Sequence, residues 1–219
     1  MLGARRKGRL DALVADLEAS GSKALAVDMD VTEEASIIAA YDAGEERFGT
    51  IDTIIANAGM SSPGRATEIA ADDIRSLLET NILGVLLTAR EGAKRLIVDS
   101  RESGAGRILL IGSIGAFTPV PGEVAYSASK AAVANLGRSL ALEWVRLGVN
   151  VNVIQPGYIL TELAANWFAS EGGKAQIASF PRRRLQPIDS LNDQVLYLCS
   201  DASLHMTGAI ITLDDGQSL

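Results

Sequence analysis

The chain is poor in the residues that build most metal and disulfide sites: one cysteine, Cys199, and one histidine, His205, in 219 residues. A lone cysteine excludes a disulfide framework within the sequence and suits a reducing cytoplasm. Cys199 falls in an apolar helical pattern, where a structural thiol is expected, and His205 sits beside a polar turn, where no metal is expected. Basic residues are outnumbered, 20 against 27 acidic ones, for a net charge of −7. That balance argues against a nucleic-acid partner, because phosphate binding needs a basic face. No apolar run approaches the roughly 18 residues that a membrane helix requires, so no membrane partner is expected. The basic start is followed by no apolar segment, and Asp11, Asp16 and Glu18 disfavour a transit peptide. Linkers, repeats and low-complexity segments are absent, which predicts a single domain over 1–219. A glycine-rich phosphate-binding turn is also lacking: Gly104 and Gly106 have no third glycine and precede a strand instead of following one.

What is present is regular alternation of strand and helix, the pattern of an α/β fold with a parallel sheet covered on both faces. Leu10, Leu13, Val14 and Leu17 carry helical spacing that Gly21 closes, and Lys23 to Val27 reads as a strand. Thr32 is placed to cap a helix ending near Phe48. Ile51 to Ala56 is the next strand, and a long helix from Asp72 to Val98 is interrupted near Asn81. Arg107 to Ile111 reads as a buried strand, Tyr126 to Arg146 as a helix, and Val149 to Ile154 as a strand ended by Pro156-Gly157. The stretch 158–187 breaks the alternation as an insert expected to lie over the active site. A helix from Asp189 to Ser200 and a strand from Ala209 to Leu213 complete the order.

The chemistry concentrates in Tyr126-Ser127-Ala128-Ser129-Lys130, with Ser113 thirteen residues before the tyrosine at the end of an apolar run. Positions i and i+4 share a helix face, so the phenol and the ammonium can enter one cleft. A phenol with a pKa of about 10 is a poor acid-base group at neutral pH, and a nearby cation is expected to pull it down. Ser113, carried on a strand end, is placed to bond a substrate oxygen. Alone, a tyrosine and lysine at this spacing more often decorate an ordinary helix surface.

Taken with the rest of the chain, these residues resemble the short-chain dehydrogenases/reductases. The matching pieces run in order: Asp30-Val31, Asn57-Ala58-Gly59, Asn81-Ile82-Leu83-Gly84, Gly112-Ser113, the Tyr126 to Lys130 run, and Pro156-Gly157-Tyr158-Ile159-Leu160-Thr161. They continue with Leu198-Cys199-Ser200-Asp201-Ala202-Ser203 and Thr207-Gly208. The resemblance implies a three-layer, Rossmann-type, doubly wound parallel sheet. It also implies hydride transfer between a nicotinamide and a small-molecule carbonyl or secondary alcohol. Tyr126 would carry the proton, Lys130 would hold the nicotinamide ribose and lower the tyrosine pKa, Ser113 would orient the substrate oxygen, and Asn81 would bind a water that links Lys130 to solvent. Asp30 and Val31 would border the adenine, and Asn57, Ala58 and Gly59 its ribose. Pro156, Gly157, Ile159 and Thr161 would face the nicotinamide.

The family opens with a strand, a glycine-rich turn and a helix that do not match here; Met1 to Arg6 instead resemble its second strand and following turn. A βαβ unit takes roughly 30 residues or more, so the first βα unit is expected to be missing and the chain incomplete. In a sheet of order 3-2-1-4-5-6 that loss leaves two strands without their shared neighbour. At the end of the second strand, where NAD-preferring relatives carry an acid, stand Ala4, Arg5 and Arg6. Two guanidiniums favour a 2′-phosphate, so NADP is expected ahead of NAD. Ile82, Leu83, Val85, Leu86 and Leu87 suggest an intersubunit face and a homo-oligomer, tetramer or dimer. The competing reading is a truncated, inactive homologue that serves as a binding or oligomer-partner subunit.

Overall fold

The computed structural model describes residues 1–100, 106–161 and 164–219. Among the described residues are six parallel strands and eight α-helices. Strands β1 (Leu2–Ala4) and β2 (Ala26–Asp28) flank α1 (Lys7–Ala19), and α2 (Glu34–Phe48) leads to β3 (Thr53–Ala56). Helix α3 (Ala71–Leu78) runs through a π-helical turn, Glu79–Gly84, into α4 (Val85–Ser100). Then come β4 (Gly106–Ile111), α5 (Val124–Trp144), β5 (Val149–Pro156), α6 (Ala165–Ala169), α7 (Glu171–Ser179), α8 (Asn192–Leu198) and β6 (Ile210–Leu213).

Burial explains why β4 and β5 are central. In β4, Ile108, Leu109 and Leu110 are each at most 2% exposed, an unbroken apolar run of the kind buried on both faces. In β5, Val149, Val151 and Val153 enter the larger core with Ile108 and Leu110, whereas Leu109 and Ile154 join α8 residue Leu198 in a second cluster. Each such side chain contributes roughly 1.5–3 kcal/mol. Two separate clusters on one sheet are the signature of helices on both faces. The polar positions of β5 are used as well: Asn150 and Asn152 donate to the Leu204 and Met206 carbonyls, which fixes the segment leading into β6.

The strands do not form one sheet. β1 pairs only with β2, while β3, β4, β5 and β6 form a second sheet in that order. Between them lies a cavity of about 650 Å³, lined on one side by Gly3 and Ala4 and on the other by Thr53 to Ala56. Among the described residues, no strand pairs with both β1 and β3.

Several expectations need correction. The strand expected over Lys23 to Val27 is Ala26–Asp28, because β1 offers only three residues for pairing, Leu2 opposite Ala26 through Ala4 opposite Asp28. Thr32 does not cap α2: its N–H and hydroxyl both donate to Asp30, and the helix starts at Glu34. The helix expected from Asp189 to Ser200 is confined to Asn192–Leu198. Of the apolar residues assigned to an intersubunit face, Val85 and Leu87 are core residues, and Leu83 is exposed. Gly104 and Ala105, expected to precede β4, and Glu162 and Leu163 of the insert lie outside the described residues.

Candidate active site

The site forms where β3, β4 and β5 end and α5 begins. Ser113 follows β4 in an extended conformation and accepts the Gly115 N–H at 3.1 Å. Tyr126, in the first turn of α5, lies near enough to Ser113 for the serine hydroxyl to favour its ionised form. Lys130, only 4% exposed, donates from Nζ to the Ile111 carbonyl at 2.9 Å. That ammonium lies 5.7 Å from the centre of the Tyr126 ring.

The expected depression of the tyrosine pKa is corrected here. Burial pushes the Tyr126 phenol above its ordinary value; the Ser113 hydrogen bond works the other way, and the Glu123 charge adds to the rise. Lys130 does not offset it, because with a pKa of about 8 the lysine has lost its charge before the phenol titrates. Burial also disfavours that charge and brings Lys130 from 10.5 down to about 8.

Asn81 occupies the π-helical turn and is wholly buried. Such turns insert an extra residue into an α-helix and recur at functional sites. Here the turn delivers a carboxamide that accepts the Met60 N–H at 2.8 Å and donates to the Met60 carbonyl at 2.9 Å and to Ser129 Oγ at 3.0 Å. Ser129 in turn donates to the Tyr126 carbonyl. Both amide hydrogens are thus engaged with protein groups, and Asn81 ties the turn after β3 to the helix that carries Tyr126 and Lys130. Met60 and Ser129 are functional positions that sequence reasoning missed; the repeated serine beside Lys130 was the available signal.

Arg5, Arg6, Asp30, Val31, Asn57, Ala58 and Gly59 all line the 650 Å³ cavity, which falls within the size range of small-molecule sites. Gly84 shapes its wall: a Cβ there would meet Val31 Cγ2 at 2.6 Å, so only glycine lets Val31 seat against the π-helical turn. Arg5 makes a loose ion pair with Asp30 at 3.8 Å, and its side chain is 70% exposed. Asp30 is held below its usual carboxylate value first by the Thr32 N–H, then by the Thr32 hydroxyl, with Arg5 adding a little. The exposed Arg5 guanidinium, the Asp30 carboxylate, Asn57 and the small Ala58 and Gly59 form a lining that fits the adenosine portion of a nicotinamide dinucleotide. Among the described residues, no glycine-rich turn borders it.

Pro156, Gly157, Ile159 and Thr161 are not brought to that cavity. They continue from the end of β5, where the Gly157 N–H donates to the Leu213 carbonyl and Ile159 pairs with Gln186. Thr161 is exposed. Gln217 clamps this turn, accepting the Tyr158 N–H at 2.6 Å and donating to the Tyr158 and Arg184 carbonyls. Tyr158 stacks on Phe180, meets Phe168 edge-on and hydrogen-bonds Gln176, forming an aromatic cluster whose Tyr158 phenol interacts electrostatically with Tyr126. Gln217 was not anticipated, since its partners lie 59 and 33 residues away.

Comparison with known proteins agrees with this geometry. A family model described as short chain dehydrogenase matches residues 1–172. D-threitol dehydrogenase of Mycolicibacterium smegmatis is 33% identical over 216 residues, covering 93% of this chain and 82% of that protein. Gluconate 5-dehydrogenase of Gluconobacter oxydans is 30% identical, with 99% and 83% covered. Among solved structures, a gluconate 5-dehydrogenase from Burkholderia cenocepacia in complex with NADP and tartrate superposes with a TM-score of 0.91 at 28% identity, covering 99% of this chain and 84% of that one.

Proposed function

The chain belongs to the short-chain dehydrogenase family, and from that premise we propose that it is an oxidoreductase acting between NADP, with NAD as second choice, and a small carbonyl or secondary alcohol. The observation that carries this reading is the convergence of Ser113, Tyr126, Lys130 and Asn81 on one corner at the end of β4, held by the Lys130–Ile111, Asn81–Ser129 and Ser129–Tyr126 hydrogen bonds. The bound nicotinamide supplies or receives the hydride.

The protein's own groups manage the oxygen and its proton. Ser113 and Tyr126 form a two-hydroxyl clamp for the substrate oxygen. Because burial holds the Tyr126 phenol in its protonated form, it is set to donate a proton to an oxygen gaining charge during reduction. In oxidation it accepts that proton. Lys130 anchors the nicotinamide ribose and, with a pKa of about 8, can gain or lose a proton near neutrality. Asn81 positions the helix turn that carries both. Arg5 and Arg6 face the adenosine 2′-phosphate, Asp30 and Val31 the adenine, and Asn57, Ala58 and Gly59 its ribose. Pro156, Gly157, Ile159 and Thr161 border the nicotinamide.

The relatives' names, a threitol dehydrogenase and a gluconate 5-dehydrogenase among them, support a small hydroxylated substrate. The protein works in the cytoplasm, which suits its lone cysteine, and as a homo-oligomer, tetramer or dimer. Exposed apolar residues on the helices flanking the site, Leu83 and Val98 on one and Leu142 at 82% exposure on the other, support that assembly.

The test is turnover of NADP with a panel of secondary alcohols, followed by the absorbance of the reduced cofactor. We expect turnover that Ser113→Ala lowers by about a hundredfold or more. No reduced cofactor with any alcohol, and no oxidation of NADPH by the matching ketones, would overturn the reading.

A further inference from the structure

Glu123 stands three residues before Tyr126, at the residue from which α5 starts. Its backbone is fixed by two local features. Gly122 turns in the left-handed region, φ 78°, and its carbonyl accepts the Gly64 N–H at 2.8 Å. The carboxylate is fixed as well: both of its oxygens accept from the Ser61 hydroxyl, at 2.7 and 2.8 Å. Ser61 follows the Met60 that Asn81 grips, so the same network that places Tyr126 places Glu123.

The half-buried carboxylate has no lysine or arginine partner among the described residues, and one hydroxyl is its sole hydrogen-bond donor there. An ionised carboxylate accepts about four hydrogen bonds and donates none, so most of its accepting capacity is unspent. It sits beside the reacting corner, at the residue that opens the helix carrying Tyr126 and bonded to the turn that Asn81 holds, and its charge works to raise the pKa of Tyr126 and of Tyr158. A fixed, unneutralised acceptor in a substrate cleft repels anions and rewards ligands rich in O–H donors.

We propose that Glu123 is the specificity-determining residue for substrate charge, selecting a neutral polyol that donates a neighbouring hydroxyl to its carboxylate and rejecting sugar acids. This deepens the oxidoreductase reading above and rests on it. Ser61 positions the carboxylate. The hydroxyl that Glu123 accepts lies next to the carbinol held by Ser113 and Tyr126, so a vicinal diol is the minimum recognised unit.

Threitol and threonate are a matched pair, with the same chain and hydroxyls but with a terminal carboxylate on the second. The experiment compares kcat/KM for both in the native protein and in Glu123→Gln, an isosteric change that keeps a partner for Ser61. Calorimetry of both ligands in the presence of NADPH, where the alcohol cannot react, gives affinities independent of turnover. We expect the native protein to favour threitol by about tenfold or more, and Glu123→Gln to shrink that ratio by about tenfold, mainly through KM and affinity. Ser61→Ala should move the ratio the same way by a smaller factor. A ratio unchanged within about threefold in Glu123→Gln, or threonate bound as tightly as threitol by the native protein, would overturn the proposal. If no alcohol turned over, simple cyclohexanol included, the oxidoreductase reading would fall, and the calorimetric ratio would still decide Glu123.

Discussion

Replacing Lys130 by methionine should make the protein's stability respond differently to pH, and the size of the effect follows from burial. The ammonium is 4% exposed, and its pKa falls from 10.5 to about 8 in the native state. Below pH 8 both native and unfolded chains hold the proton, and the native state bears the full cost of the buried charge. At about 1.4 kcal/mol per pKa unit, that cost is about 3 kcal/mol at pH 7. Between about pH 8 and 10.5 only the unfolded chain retains the proton, so stability rises with pH through that window. By pH 10 less than about 1 kcal/mol of the cost remains. The assay is urea unfolding of the native protein and Lys130→Met at pH 7, 8, 9 and 10, without cofactor. Taking the difference cancels groups common to both proteins. The native protein should gain about 2–3 kcal/mol on the variant from pH 7 to 10. A difference constant within about 0.5 kcal/mol, or one moving the opposite way, would show that the Ile111 carbonyl fully compensates the charge and that Lys130 is an ordinary lysine.

Asn81→Ala leaves the Met60 N–H and carbonyl and the Ser129 hydroxyl without their partner; we expect a loss of about 2–4 kcal/mol in thermal or chemical unfolding, and a loss under about 0.5 would deny it a structural role. Changing Arg5 and Arg6 together to alanine should weaken NADP by about ten- to a hundredfold while NAD changes little, since only NADP carries the 2′-phosphate; titration of both cofactors reads this, and equal losses would assign the arginines to the fold. Sedimentation at micromolar concentration should give a dimer or tetramer that Leu142→Glu, at a position 82% exposed in the single chain, drives toward monomer; a monomeric native protein would remove the proposed assembly.

The fold was legible where local chemistry and burial agree. Arg107 to Ile111 read as a buried strand and Val149 to Ile154 as a strand, and both are strands, the first with Ile108 to Leu110 buried. The break near Asn81 was visible as a polar residue inside an apolar helix, although its π-helical form was not. Failures arose where partners are remote. Whether Lys130 turns to Tyr126 or to the Ile111 carbonyl depends on how β4 meets α5, which spacing alone does not determine. Val85 and Leu87 carry the same hydrophobicity as Leu83, and only packing separates core from surface. Thr32 was read as a cap from its type, while Asp30, two residues earlier, captured its hydrogen bonds. Glu123 escaped notice because its partner Ser61 lies 62 residues away.

Tyr126→Phe probes whether Tyr126 carries the substrate proton. The variant removes one hydroxyl from a half-buried ring and leaves the cavity lined by Arg5, Asp30 and Asn57 untouched. Measured alongside the native protein with NADP and its best alcohol, it should lose about a hundred- to ten-thousandfold in kcat while NADP affinity changes less than about threefold. Retention of more than about a tenth of native kcat, a barrier change below about 1.4 kcal/mol, would contradict the assignment.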